Sequence, residues 1–120
     1  MRRKAALSGG QLSSYSLQVG AGATSSGSMT QTGGQNTTGT LTLANTFASA
    51  GSYALGGNGI LTSTTEYVGY AGTAVFNQTG GTNRTGTFTG TGALYLGYQG
   101  NAQGTYNLSG NGQLLASGAE

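Results

Sequence analysis

The chain contains no cysteine, histidine, aspartate, proline or tryptophan, and only 5% of its 120 residues are charged. Each gap closes off a class of chemistry. Without cysteine no disulfide staples the fold, and zinc or iron–sulfur sites lack their usual ligands. The carboxylate side chains are Glu66 and Glu120 alone, the second being the last residue. A glycosidase needs two facing carboxylates, and nucleophilic or acid–base catalysis draws on His, Asp, Glu, Lys or Cys set beside a partner. The expectation is no enzyme, with no catalytic residue, no metal site and no cofactor. Calcium-binding β-roll turns need Asp, and GGNGIL (56–61) and SGNGQL (109–114) carry none. Nothing approaches 18 apolar residues in a row, so no transmembrane helix is expected. AALSGGQLSS near the start offers no apolar core for a signal peptide.

What is present is repetition. LTLANTFASAGSYALGGNGIL (41–61) matches LYLGYQGNAQGTYNLSGNGQL (94–114) without a gap: Leu41, Leu43, Gly51, Tyr53, Leu55, Gly57, Asn58, Gly59 and Leu61 fall on Leu94, Leu96, Gly104, Tyr106, Leu108, Gly110, Asn111, Gly112 and Leu114. A fixed-period repeat is the signature of a solenoid or an array. Four coils follow one another, each a strand, a glycine-containing corner, a second strand and a glycine-rich turn. They carry SLQVGAG and MTQTGGQN (16–22, 29–36), LTLAN and YALGGNG (41–45, 53–59), EYVGYAG and FNQTGGTN (66–72, 76–83), then LYLGYQG and YNLSGNG (94–100, 106–112). The first and third share QTGG and a following Asn, while the second and fourth share the long match. The unit is therefore a pair of unlike coils, about 15–61 and 62–114.

Two columns give this reading physical content. Val19, Leu43, Val68 and Leu96 align in the first strands, and their neighbours Gln18, Thr42, Tyr67 and Tyr95 point to the other face because strand side chains alternate. In the second strands Met29, Tyr53, Phe76 and Tyr106 align, followed two residues on by Gln31, Leu55, Gln78 and Leu108. Large side chains stacked from rung to rung make a continuous narrow core. The turn glycines are Gly33, Gly34, Gly56, Gly57, Gly80, Gly81, Gly110 and Gly112. A helical alternative fails, because 25 glycines recur every few residues and each costs roughly 1 kcal/mol inside a helix. A sandwich of hairpins accounts for the turns but not for like side chains recurring at one period. The expectation is an all-β parallel β-helix, a β-solenoid of about four to five rungs of about 24–28 residues, forming one domain over residues 7–120.

Smaller signals are read in that frame. Arg2, Arg3 and Lys4 supply three of the four basic residues, with Arg84 the fourth; residues 1–6 are expected as a solvated tail, with no nucleic-acid partner. Asn36, Asn77, Asn83 and Asn107 each open an N-x-S/T triplet, which chance supplies in a chain rich in Asn and Thr. TGT (38–40), TST (62–64) and TGT (85–87) are read as outward strand threonines; a ladder of the ice-binding kind is the weaker reading, because the middle triplet is out of line. Tyr67 and Tyr95 stand on the outward column and are candidate surface-binding residues for a sugar, whereas Tyr70 and Tyr98 fall on the inward parity and read as core or corner residues. LSGGQL (7–12) resembles the signature peptide of transport ATPases, but no phosphate-binding GxxxxGK[ST] loop accompanies it, and its recurrence as LSGNGQL makes it a turn between rungs.

EYVGYAG…FNQTGGTN and LYLGYQG…YNLSGNGQL together resemble the autotransporter-associated β-strand repeats of large bacterial cell-surface proteins, repeats also found in exoproteins with PEP-CTERM sorting tails. The resemblance runs from Leu7 onward. It implies a right-handed parallel β-helix, secretion, and a passive place in surface display, adhesion or biofilm matrix. The chain departs from that family in being short and in showing no signal peptide, translocator barrel or sorting tail, which leaves a piece of a longer product or a subunit. No capping element is legible, LSGGQL duplicates LSGNGQL, and the closing SGAE resembles the STTE that precedes YVGY. The expectation is a structural subunit of an extracellular filament or cell-surface fibre, stacking on copies of itself head to tail. The alternative is an adhesin-type module for surface glycans or, failing that, for ice.

Overall fold

The computed structural model describes residues 2–86 and 93–116. Its strands are β1 (Arg2–Leu7), β2 (Gln11–Val19), β3 (Ser26–Gln31), β4 (Gln35–Leu43), β5 (Ala50–Leu55), β6 (Ile60–Val68), β7 (Thr73–Gln78), β8 (Thr82–Thr85), β9 (Ala93–Leu96), β10 (Gln103–Leu108) and β11 (Gln113–Ala116). No helix occurs among the described residues. Every pairing is parallel and joins a strand to its counterpart one coil away, as in β3 with β5 and β4 with β6. One sheet runs β1-β3-β5-β7-β10; the other runs β2-β4-β6-β8-β11, with β9 also on β6. Five stacked rungs, wound in four turns, make the molecule a parallel β-solenoid.

The long strands bend. The register of β2, β4 and β6 leaves Tyr15, Gly39 and Thr64 unpaired. Ahead of that point the buried residues of β4 are Asn36 and Thr38, and beyond it Leu41 and Leu43, with Thr42 between them buried as well. The inward parity therefore switches, and the strand turns a corner. Together with the other sheet this gives three walls around one interior. The same corner explains the long last spacings in sequence. β8 pairs with Ile60–Ser63 and β9 with Thr65–Val68, so seven residues of sequence separate two strands whose partners on β6 are separated by Thr64 alone.

Inside, the aligned columns are in contact. Ala5, Met29, Tyr53, Phe76 and Tyr106 are successive partners. Tyr53 and Phe76 stack at 4.9 Å between centroids and Phe76 and Tyr106 at 4.6 Å, each pair within 6° of parallel. Val19, Leu43 and Val68 are buried below them, with Leu41, Leu55 and Leu61. Backbone crowding explains the glycines. Gly57 sits at φ 58°, and a Cβ there would fall 2.2 Å from the Thr32 carbonyl oxygen of the rung beneath. Gly104, the second residue of β10, is tighter still, since its Cβ would lie 1.9 Å from the Val68 oxygen.

Four expectations need correction. Residues 1–6 are not a tail: Arg2–Leu7 is β1, hydrogen-bonded in register along β3. Leu96 is 48% exposed rather than buried, because it ends its column. The threonine triplets do not form an outward ladder, since Thr38 and Thr85 are buried and pair on either side of Ser63; Thr87 lies outside the described residues. Thr42, expected on the outward column with Gln18, Tyr67 and Tyr95, is buried at 5% exposure. Asn36 and Asn83, which open two of the N-x-S/T triplets, are fully buried as well. The closing SGAE also lies outside the described residues.

Candidate functional site

Two side-chain assemblies stand out, one outside the solenoid and one within it. The outer one is built on the pairing of Tyr67 with Tyr95. Their rings stack at 5.1 Å and 10°. Tyr70 and Tyr98 stack beside them at 5.3 Å, and edge-on contacts join the pairs: Tyr67 to Tyr70 at 4.9 Å, Tyr67 to Tyr98 at 4.8 Å, Tyr95 to Tyr98 at 4.9 Å. Tyr70 and Tyr98 were expected to face inward by strand parity. Parity stops applying at Gly69 and Gly97, whose φ values of 88° and 72° swing the chain out of the strand. The repeated Gly-Tyr step after each strand was the available signal. Burial among the other three rings raises the Tyr67 phenol above its ordinary range. Stacked and edge-on aromatic pairs contribute about 0.5–1.5 kcal/mol each beyond the area they bury, so the patch first of all clamps two rungs together.

The inner assembly is a hydrogen-bonded chain repeated once per coil pair. In its first copy the Tyr53 hydroxyl donates to Gln31 Oε1 and accepts from Asn36 Nδ2 at 2.9 Å, while Gln31 Nε2 donates to Ile60 O at 3.0 Å and Gly34 O at 3.2 Å. In its second copy the Tyr106 hydroxyl donates to Gln78 Oε1 at 2.6 Å and accepts from Asn83 Nδ2 at 2.9 Å, while Gln78 Nε2 donates to Gln113 O at 2.8 Å. Buried amides are costly unless paired, and here each Gln is held on both sides. Burial raises both phenols well above the ordinary tyrosine range.

The second copy carries an addition. Glu66 takes a place that is leucine one rung before and one rung after, at Leu41 and Leu94. It is fully buried. Its Oε1 accepts from Asn83 Nδ2 at 3.0 Å and its Oε2 from the Ser63 hydroxyl at 2.8 Å. Burial pushes the carboxyl up from 4.5 to about 7, against the pull of those two donors. Sequence reading noted Glu66 only as a scarce carboxylate; its inward parity at the Leu41 and Leu94 position was the signal for its burial.

The chemistry open to these groups is narrow. Glu66 is sealed from solvent, with both carboxyl oxygens held by its neighbours. A hollow of about 850 Å³ beside β8 is lined by Thr37, Thr62, Arg84 and Leu115 among others, which offer hydroxyls and a guanidinium but no nucleophile beside a base. Among the described residues no three His, Cys, Asp or Glu side chains gather to hold a metal. No protein-family model, curated protein or solved structure matches the chain.

Proposed function

We propose that this chain is a structural element of an extracellular filament or cell-surface fibre, a solenoid that stacks head to tail on copies of itself. The observation that carries the reading is the state of the two ends. Among the described residues β1 and β2 at one end, and β10 and β11 at the other, have partners on one side only. Unpaired strand edges are templates for further pairing unless something blunts them. Here they carry Leu12 and Leu108, 36% and 49% exposed. The extracellular setting rests on the resemblance of the repeats to bacterial surface proteins.

A second reading, adhesion to glycans, is favoured by one feature, the exposed tyrosine patch with Tyr98 at 47% exposure. The self-stacked rings leave little free face, which ranks this reading second. Electron microscopy of the purified chain over a range of concentrations tests the first. Unbranched filaments with an axial repeat of about 4.8 Å are the expected result. Discrete monomers at every concentration would overturn it. Retention on immobilised polysaccharide, lost in Tyr67→Ala with Tyr95→Ala, would then favour adhesion.

A further inference from the structure

The stacking reading leaves open how two copies would meet, and the interior answers it. The columns facing the turns alternate rung by rung: Leu7 with Leu12, Gln31 with Asn36, Leu55 with Leu61, Gln78 with Asn83, Leu108 with Leu114. Each polar rung directs its glutamine donor to the rung after it and finds its tyrosine hydroxyl there as well. The first rung has no such hydroxyl, because Ala5 stands in the aromatic column. It cannot satisfy a polar rung, but it fits an apolar one. Ala5 also leaves room: a hollow of about 500 Å³ is lined by Lys4, Ala5, Leu17, Val19 and Met29. At the opposite end stands an apolar rung with a large ring in that column, half-buried Tyr106, beside exposed Leu108.

We propose that the occupant of each end is a second copy of this chain in one register, Tyr106 opposite the next copy's Ala5, Leu108 opposite its Leu7 and Leu114 opposite its Leu12. This deepens the stacking reading and rests on it. The joint already exists within the chain. The turn from Leu55 to Leu61 carries the shorter turn from Gln78 to Asn83 on top of it, with Thr79 N donating to Leu55 O and Thr82 N to Gly59 O, both at 2.9 Å. The turn from Leu108 to Leu114 has the length of the former, and that from Leu7 to Leu12 the length of the latter. Copied across the joint, Ser8 N donates to Leu108 O and Gln11 N to Gly112 O of the preceding copy. Ring fills hollow, leucine meets leucine, and no buried amide side chain stands at the joint.

The chain has no cysteine, so disulfide trapping reads the register cleanly. Ala6 and Asn107 lie next to the proposed Ala5–Tyr106 pair, on the outer faces of β1 and β10. Paired parallel strands bring such Cα atoms to about 4.8 Å, within disulfide reach, whereas a two-residue offset gives about 8 Å, beyond it. Full-length chain carrying Ala6→Cys with Asn107→Cys, assembled and mildly oxidised, is expected to give a ladder of linked oligomers on a non-reducing gel. Lys4→Cys with Asn107→Cys is expected to give none. Filaments that cross-link through the second pair, or through neither, overturn the register while leaving stacking intact. A chain that never assembles overturns both. Leu108→Lys gives an independent check: an unchanged β circular-dichroism spectrum with assembly lost is expected, and undiminished filaments would sink the proposal.

Discussion

The two copies of the inner hydrogen-bonded chain are built alike, yet they sit in different company. Around Tyr53 the network is closed within Gln31 and Asn36, and Leu17 occupies the place that corresponds to Glu66 one coil pair later. Around Tyr106 the same Gln and Asn are present, but Asn83 divides its donors between the tyrosine and Glu66. Position differs as well: Tyr53 is fully buried between Met29 and Phe76, while Tyr106 covers only one side of its column and stays partly exposed. The common part, a Gln–Tyr–Asn chain across two rungs, is what the repeat needs for stacking. The difference comes down to a single residue, Glu66, whose carboxyl is held above the ordinary carboxylate range by burial.

The comparison breaks most visibly when the tyrosine is removed altogether. Tyr53→Ala opens a cavity between two packed side chains and orphans a buried glutamine and asparagine, so a loss of about 4–5 kcal/mol is expected. Tyr106→Ala, at the half-exposed end, is expected to cost about half as much. Chemical denaturation of both variants measures the gap, and equal losses would mean the end rung is as well packed as the middle.

Next in size is the proton. The Glu66 carboxyl is raised in the folded chain from 4.5 to about 7, so the folded state holds a proton that the unfolded chain releases. The stability contributed by the neutral acid is fully present below about pH 4.5, falls as pH rises to about 7, and is gone above that, a change of about 3 kcal/mol. Glu66→Gln is expected to flatten the stability curve across this window. A curve that stays sloped in the variant would assign the effect elsewhere.

The smallest effect sharpens the comparison further. Tyr53→Phe and Tyr106→Phe keep the ring and remove the hydroxyl, at about 1–3 kcal/mol each. Tyr53→Phe belongs at the upper end, because neither Gln31 nor Asn36 can turn to water. Tyr106→Phe belongs at the lower end, with the Asn83 bond to Glu66 still made. The reverse order, measured at pH 5 where Glu66 is neutral, would contradict the account of both networks.

Much of this architecture is legible in the sequence. The column Met29, Tyr53, Phe76, Tyr106 and the column Val19, Leu43, Val68 follow from a two-residue alternation repeated at one period, which is the information a stacked sheet imposes. What was not legible has local causes. Tyr70 and Tyr98 changed face because a glycine at positive φ precedes each, and alternation says nothing past such a residue. Thr38 and Thr85 turned inward because the long strand switches parity at a corner marked only by unpaired Tyr15, Gly39 and Thr64. β1 was hidden because its inward Ala5 and outward Ala6 carry no hydrophobic contrast and three charges precede them; its partner β3 defines it.

The corner at Thr64 has a consequence beyond the path of the chain. β8 and β9 hold the same register on β6 although residues 86–92 separate them, where the neighbouring rung spends a single residue. The solenoid therefore accepts extra chain at that point without shifting any column beneath it. Tyr15, at the equivalent place in the first rung, is 95% exposed, so the edge opens directly to solvent. A peptide inserted at this edge would stand clear of the packing that holds the rungs together.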